Sequence, residues 1–232
     1  DLYDVKSAVS DILSFYGRHA LIETLKQRIA SGRSVIIYGL RKIGKSSLVS
    51  RLYDESPWPV ALVDLQGYIG SVQYVYSEII EKWIFAIKTK FSDANLSLDL
   101  IKVENAQDFR KSIEHILGEC RKINPDMGLA LFLDEVDILE KEQSYFELSA
   151  ALRRVAEEPR FKGRIMLLFA GLEPVLNRAD ALASIRNPLF SFFEELGVSP
   201  FATPDANRMV ISIGVQMGIA YDDDARDLLV TA

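Results

Sequence analysis

A short apolar run, Ser34-Val35-Ile36-Ile37-Tyr38, passes without a break into Gly39-Leu40-Arg41-Lys42-Ile43-Gly44-Lys45-Ser46, and a helical pattern opens at Lys45. No other segment limits the available folds as tightly. The octapeptide satisfies G-x-x-x-x-G-K-[ST] in full and stands in the strand-to-helix context that gives the pattern its meaning. Gly39 and Gly44 allow the backbone to curl until successive N–H groups face a single anion. The helix beginning at Lys45 adds its positive N-terminal end. Lys45 is spaced to reach the β- and γ-phosphates of a nucleoside triphosphate, and the Ser46 hydroxyl to ligate Mg²⁺. Arg41 and Lys42 raise the local positive potential, and Ser47 follows in the first helical turn.

Strand and helix signals alternate on both sides of this loop. Leu21, Leu25 and Ile29 recur every fourth residue, so a helix is expected over 20–30, stopped by Ser31-Gly32. Buried strands are expected at 34–38, 59–64, 129–133 and 164–170, with a fifth near 196–198. Two long helices fall between them. One covers 72–88 with its stripe at Val72, Val75, Ile79, Trp83 and Ile87; the other covers 106–123 with Phe109, Ile113, Ile116, Leu117 and Cys120. The stretch 91–103 has no period and reads as a loop. Alternating elements imply βαβ units and a mostly parallel five-stranded sheet between two helical layers. At Thr203-Pro204-Asp205 the pattern changes to two helices with no following strand, the second capped by Asp222. The expected division is a core over 1–202 and the start of a helical lid over 203–232.

A second motif sits at the end of the third strand. Leu129-Ala130-Leu131-Phe132-Leu133 delivers Asp134-Glu135 to the carboxyl edge of the sheet, where open α/β folds bind ligands. Downstream of the phosphate loop this is a Walker B strand: Asp134 holds the magnesium shell and Glu135 polarises the attacking water. Asp137 reads as a helix cap or surface charge. Two further acidic motifs imitate GTPases, Asp64-Leu65-Gln66-Gly67 as D-x-x-G and Asn177-Arg178-Ala179-Asp180 as a loose guanine reader. Asp64 ends the strand before the better Walker B strand, and Asn177 lies well past a strand tip, so GTP selectivity ranks last.

Composition narrows the remaining classes. The 232 residues suit one large α/β domain with a partial second. At 49% apolar and 26% charged the chain is globular in composition, and runs such as Ile165 to Ala170 fall far short of the ~20 residues of a membrane span. No secretory signal opens the chain, and the start at Asp1 suggests processing or trimming. A net charge of −6 lacks the global field of a dedicated nucleic-acid binder, although a local basic patch is compatible with it. The single Cys120 cannot close an internal disulfide and fits a reducing, cytoplasmic setting; it reads as core packing. With only His19 and His115 beside it, a structural zinc site is excluded. His115 is expected to be solvated, and Trp58 and Trp83 to be packing residues.

Three stretches together resemble a known group. Phe15-Tyr16-Gly17-Arg18, Tyr38-Gly39-Leu40-Arg41-Lys42-Ile43-Gly44-Lys45-Ser46-Ser47-Leu48 and Leu131-Phe132-Leu133-Asp134-Glu135 resemble the STAND/AAA+-related P-loop ATPases, including archaeal-type ATPases and prokaryotic STAND regulators. The likeness covers the chain from Phe15 to Thr231. It implies a three-layer P-loop NTPase fold of the ASCE/AAA+ type, ATP with Mg²⁺, and Tyr16, Gly17 and Arg18 beside the adenine. It also implies a lid continued by further domains. AAA+ relatives carry a polar sensor at the tip of the strand after Walker B, whereas this chain has Phe169-Ala170-Gly171-Leu172 there, with no amide until Asn177. Arg186, in Ser184-Ile185-Arg186-Asn187-Pro188, stands where such relatives present an arginine finger to a neighbouring copy; a solvated helix-end arginine is the equal alternative. Arg153 and Arg154 are weaker candidates.

The expected activity is therefore MgATP binding and hydrolysis, with Lys45, Glu135 and Arg186 as the catalytic set and Ser46 and Asp134 on the metal. The expected role is a nucleotide-dependent regulatory switch within a longer protein, with ATP-dependent self-association as a further expectation. The rivals are an initiator- or loader-type ATPase on DNA, which the charge does not favour, and a module that holds nucleotide with negligible turnover.

Overall fold

The computed structural model describes residues 17–65, 71–99, 102–136, 143–171 and 193–231. Along the chain these form α1 (His19–Ala30), β1 (Val35–Tyr38), α2 (Lys45–Glu55), β2 (Val60–Asp64), α3 (Val72–Lys90) and α4 (Ala106–Ile123). There follow β3 (Leu129–Asp134), α5 (Gln143–Glu157), β4 (Ile165–Gly171), β5 (Glu194–Gly197), α6 (Thr203–Gln216) and α7 (Asp223–Thr231). The five strands make one sheet in the order β2-β3-β4-β1-β5, and every pairing is parallel. β5 lies two residues earlier than the apolar signal at 196–198 implies. Its ladder with β1 aligns Glu194 with Val35, so backbone pairing and not side-chain polarity sets where it begins.

Strand alternation builds two cores. Val35 and Ile37, Ala130 and Phe132, and Met166, Leu168 and Ala170 face α1 and α2, where Ile22, Leu25, Ile29, Leu48, Val49 and Leu52 meet them. Ile36, Leu129, Leu131, Leu133, Leu167 and Phe169 face the larger cluster of α3, α4 and α5. A strand buried on both faces must be apolar at consecutive positions, and β3 and β4 are buried along their whole lengths. The stripe of α4 is fully used, and Asn105 caps that helix by accepting from the N–H groups of Gln107 (2.9 Å) and Asp108 (3.0 Å).

Trp83 is the tryptophan most committed to the core. It is fully buried, and its Nε1–H donates to the Ala130 carbonyl at 2.7 Å. Trp83→Ala should lower stability by about 3–5 kcal/mol, read from the urea midpoint, since it opens a cavity and leaves that carbonyl with a partner fewer. Trp58 is also buried, over the α1/α2 core. Cys120 is buried, and burial, followed by the nearby Glu119 charge, pushes its thiol up to about 12 from an ordinary 9.0. In the native protein a thiol reagent at pH 8 should find it unreactive, and denaturation should expose it. Above pH 9 the native state keeps a proton that the unfolded chain has released, so this group makes stability fall as pH rises through that window. His115 is exposed as expected, yet its Nε2 lies 2.7 Å from the Ser97 carbonyl, pinning the loop that precedes α4.

Chain order and sheet order differ, and that difference makes the site. From β1 the chain crosses to β2 at the far edge, and later passes from β4 to β5 on the other side of β1. The carboxyl end of β1 is therefore the switch point of the sheet, where two oppositely directed connections leave a crevice.

Candidate functional site

Residues 39–44 leave β1 at that switch point and lead directly into α2. The β1–β5 ladder continues past the strands, because the Val198 N–H donates to the Tyr38 carbonyl at 2.7 Å. This clamps the start of the loop. A Cβ on Gly39 would stand 2.7 Å from the Val198 carbonyl oxygen, so close approach of two backbones requires glycine there. Gly39→Ala should force the loop off β5, costing about 1–3 kcal/mol, with a lower melting temperature as the readout. Gly44 has φ 91° and Lys42 φ 61°, so the loop turns through two left-handed residues before the helix begins.

Lys45 is 8% exposed and its ammonium is curled back onto its own loop, donating to the carbonyls of Gly39 and Leu40 at 3.0 Å each. Ser46 is exposed on the first turn of α2, and Leu40, Arg41 and Lys42 are exposed on the loop. Arg41, Lys42 and Lys45 thus put three cations on this loop and the first turn of α2, which with the backbone N–H groups make a donor set suited to a polyphosphate.

Asp134 closes β3 and is 8% exposed. It shares the parity of Ala130 and Phe132, which face the α1/α2 layer that carries the phosphate loop. β4 separates β3 from β1, so the two strands lie about 10 Å apart, whereas β2 with Asp64 lies about 14 Å from β1. Asp64 is paired in register with Asp134 and the Leu65 N–H donates to the Asp134 carbonyl at 3.2 Å, so the D-x-x-G aspartate sits one strand further from the loop. Among the described residues no three His, Cys, Asp or Glu side chains gather to hold a metal. Mg²⁺ needs only one or two protein ligands and completes its shell with phosphate oxygens and water. Ser46 and Asp134 are the residues that suit this role.

Glu135 lies just beyond the strand, with φ 55°, and its N–H donates to Asp134 Oδ1 at 2.9 Å. Glu135 therefore stands in a left-handed turn, a conformation that costs a non-glycine residue energy and concentrates at functional sites.

The tip of β4 lies between the two motifs and ends in Phe169-Ala170-Gly171, with Phe169 packed on Phe193 at 4.8 Å between ring centroids. It offers no hydroxyl or amide. Arg18 is brought to the loop, with a guanidinium nitrogen 3.4 Å from where a Gly44 Cβ would stand, whereas Gly17 lies against Phe201 and Asp205. Burial holds the Arg18 guanidinium below its usual value, although it stays charged. Arg153 pairs with Glu157 at 2.9 Å on α5, and Arg154 is exposed beside a cavity of about 320 Å³ between α3, α4 and α5. Tyr16, Gln66-Gly67, Asp137, Asn177-Asp180 and Arg186 lie outside the described residues.

A parallel sheet of this order, with a glycine-rich loop from its central switch point and an acidic strand end two strands away, defines a P-loop ATPase fold. Solved structures agree. A Walker-type ATPase of Pyrococcus abyssi superposes with TM-score 0.67 at 16% identity, over 99% of this chain and 69% of that one. The ORC2 protein of Aeropyrum pernix, in ADPNP–ADP complexes, gives TM-score 0.55 at 12% identity, over 99% of this chain and 71% of that one. No protein-family profile and no curated sequence matches the chain.

Proposed function

We propose that this chain binds MgATP at the 39–47 loop and hydrolyses it by in-line attack of water. The observation that carries the reading is the meeting of the full phosphate-loop motif with the Asp134-Glu135 strand end on one edge of the sheet. Backbone N–H groups of the loop and Lys45 would hold the phosphates, and Ser46 and Asp134 the metal. The metal's chemistry would be neutralisation of phosphate charge. Glu135 would orient and polarise the attacking water. Lys45 would exchange the Gly39 and Leu40 carbonyls for phosphate oxygens, a trade of neutral for charge-assisted hydrogen bonds that favours binding.

Within that chemistry we favour a regulatory switch of the STAND/AAA+ kind, in which nucleotide state sets the position of 203–232. Its support is the G-L-R-K-I-G-K-S-S wording, the β4 tip without a polar sensor, and the packing of α6 and α7 chiefly on each other. Arg186 is proposed as the finger presented to a neighbouring copy, and Tyr16 with Gly17 and Arg18 as the base contacts. The deciding measurement is phosphate release from MgATP across a range of protein concentrations. Specific activity that rises with concentration supports hydrolysis completed by self-association. Binding without turnover at any concentration supports a nucleotide-holding module instead.

A second reading, an initiator-type ATPase acting on DNA, is favoured by the likeness to the Aeropyrum pernix ORC2 fold and opposed by the net charge of −6. Salt-sensitive, ATP-dependent binding of a labelled duplex would select it.

A further inference from the structure

We infer that Arg18 is a positioning residue that straps the α6–α7 unit to the phosphate loop, so that what the loop binds alters the hold on α6. Three observations converge on it. Arg18 Nη2 donates to the Ser199 carbonyl at 3.1 Å, and its guanidinium carbon lies 4.7 Å from the centre of the Phe201 ring. Its Nη1 approaches Gly44, the last loop residue before Lys45. One side chain therefore touches both the loop and the segment that enters α6.

The backbone supplies an independent argument. Arg18 sits at φ 60°, ψ 14°, directly after Gly17 at φ 63°. Glycine would occupy that conformation freely, whereas arginine costs energy there, so the side chain must return what the backbone loses. Gly17 is itself fitted to the same partner, since a Cβ on it would stand 3.1 Å from Phe201 Cδ1. The planar guanidinium stacks and donates at once, a combination that lysine cannot supply.

The consequence is a mechanical link. Gly44 is the hinge between the loop and α2, and filling the loop with phosphate fixes its backbone. Arg18 then either keeps or loses its place beside Gly44, and Ser199 and Phe201 move with it. This nucleotide dependence rests on the ATP reading above, whereas the strap itself does not.

Amide hydrogen exchange of the full chain tests both parts. Arg18→Gly removes the side chain and relieves the left-handed backbone, so loss of folding does not obscure the result; Phe201→Ala removes the partner, and Phe201→Tyr keeps the ring. Without nucleotide, Arg18→Gly and Phe201→Ala should each speed exchange in α6 by about three- to thirtyfold relative to β3 and β4, with Phe201→Tyr near wild type. Adding MgATP at a concentration that protects the loop amides of each protein alike should change α6 exchange in the wild type and in Phe201→Tyr, and leave it unchanged in Arg18→Gly. Wild-type α6 rates in Arg18→Gly and Phe201→Ala would overturn the strap. An equal MgATP response in wild type and Arg18→Gly would overturn the coupling. Insensitivity of the wild-type loop amides themselves to MgATP would overturn the ATP reading and the nucleotide dependence, leaving the nucleotide-free comparison to judge the strap.

Discussion

Replacing Lys45 by alanine is expected to remove tight MgATP binding, with a loss of about 2–5 kcal/mol, or about 30- to several-thousand-fold in Kd. The ammonium is nearly buried, and its contacts include the Gly39 and Leu40 carbonyls at 3.0 Å each. Those contacts are with neutral acceptors, and each is worth about 0.5–1.5 kcal/mol net. A phosphate oxygen is a charged acceptor at the same short range, so the lysine contributes far more to the complex than to the free protein. The variant should therefore keep most of its melting temperature while losing affinity by calorimetry. Unchanged affinity would remove the phosphate-loop assignment altogether.

Glu135→Gln is expected to leave affinity within about threefold and to lower turnover by about 10²–10⁴, the range assigned to general base catalysis. The amide is isosteric with the carboxylate and tolerates the same φ of 55°, so the turn that places it is preserved. It cannot take a proton from water. Single-turnover phosphate release beside equilibrium binding separates the two effects. Normal hydrolysis in Glu135→Gln would deny Glu135 its role and move attention to another base. Phe169-Ala170-Gly171 at the tip of β4 supplies no polar side chain, so the role proposed for Glu135 in placing water would be shared with no partner there. Loss of rate should accordingly lie toward the upper end of that range.

Much of the core was legible because local rules and tertiary demands agree there. The α4 boundaries at Ala106 and Ile123 follow from one apolar stripe and one asparagine cap. β3 and β4 were visible as continuous apolar runs because a strand covered on both faces has no polar side to reveal. β5 was read late for the opposite reason. Its Glu194-Glu195 start carries no apolar signal, and only the ladder to Val35 and Ile36 makes it strand. The phosphate loop was legible residue by residue, since its chemistry depends on a contiguous backbone.

Relations across the chain were not legible. Arg18 and Ser199 are 181 positions apart, and neither the period of α1 nor the entry to α6 marks them as partners. The left-handed backbone at Glu135 also has no sequence signature, because glutamate gives no sign of positive φ. The sequence by itself determined the phosphate loop, the acidic strand end and the alternation of strands and helices, all of which are properties of short contiguous segments. Only the tertiary structure decided that β4 stands between β1 and β3, that Asp64 lies a strand beyond Asp134, and that Arg18 approaches both Gly44 and Phe201. These are consequences of strand order, and strand order is set by how buried faces fit together, which no local pattern encodes.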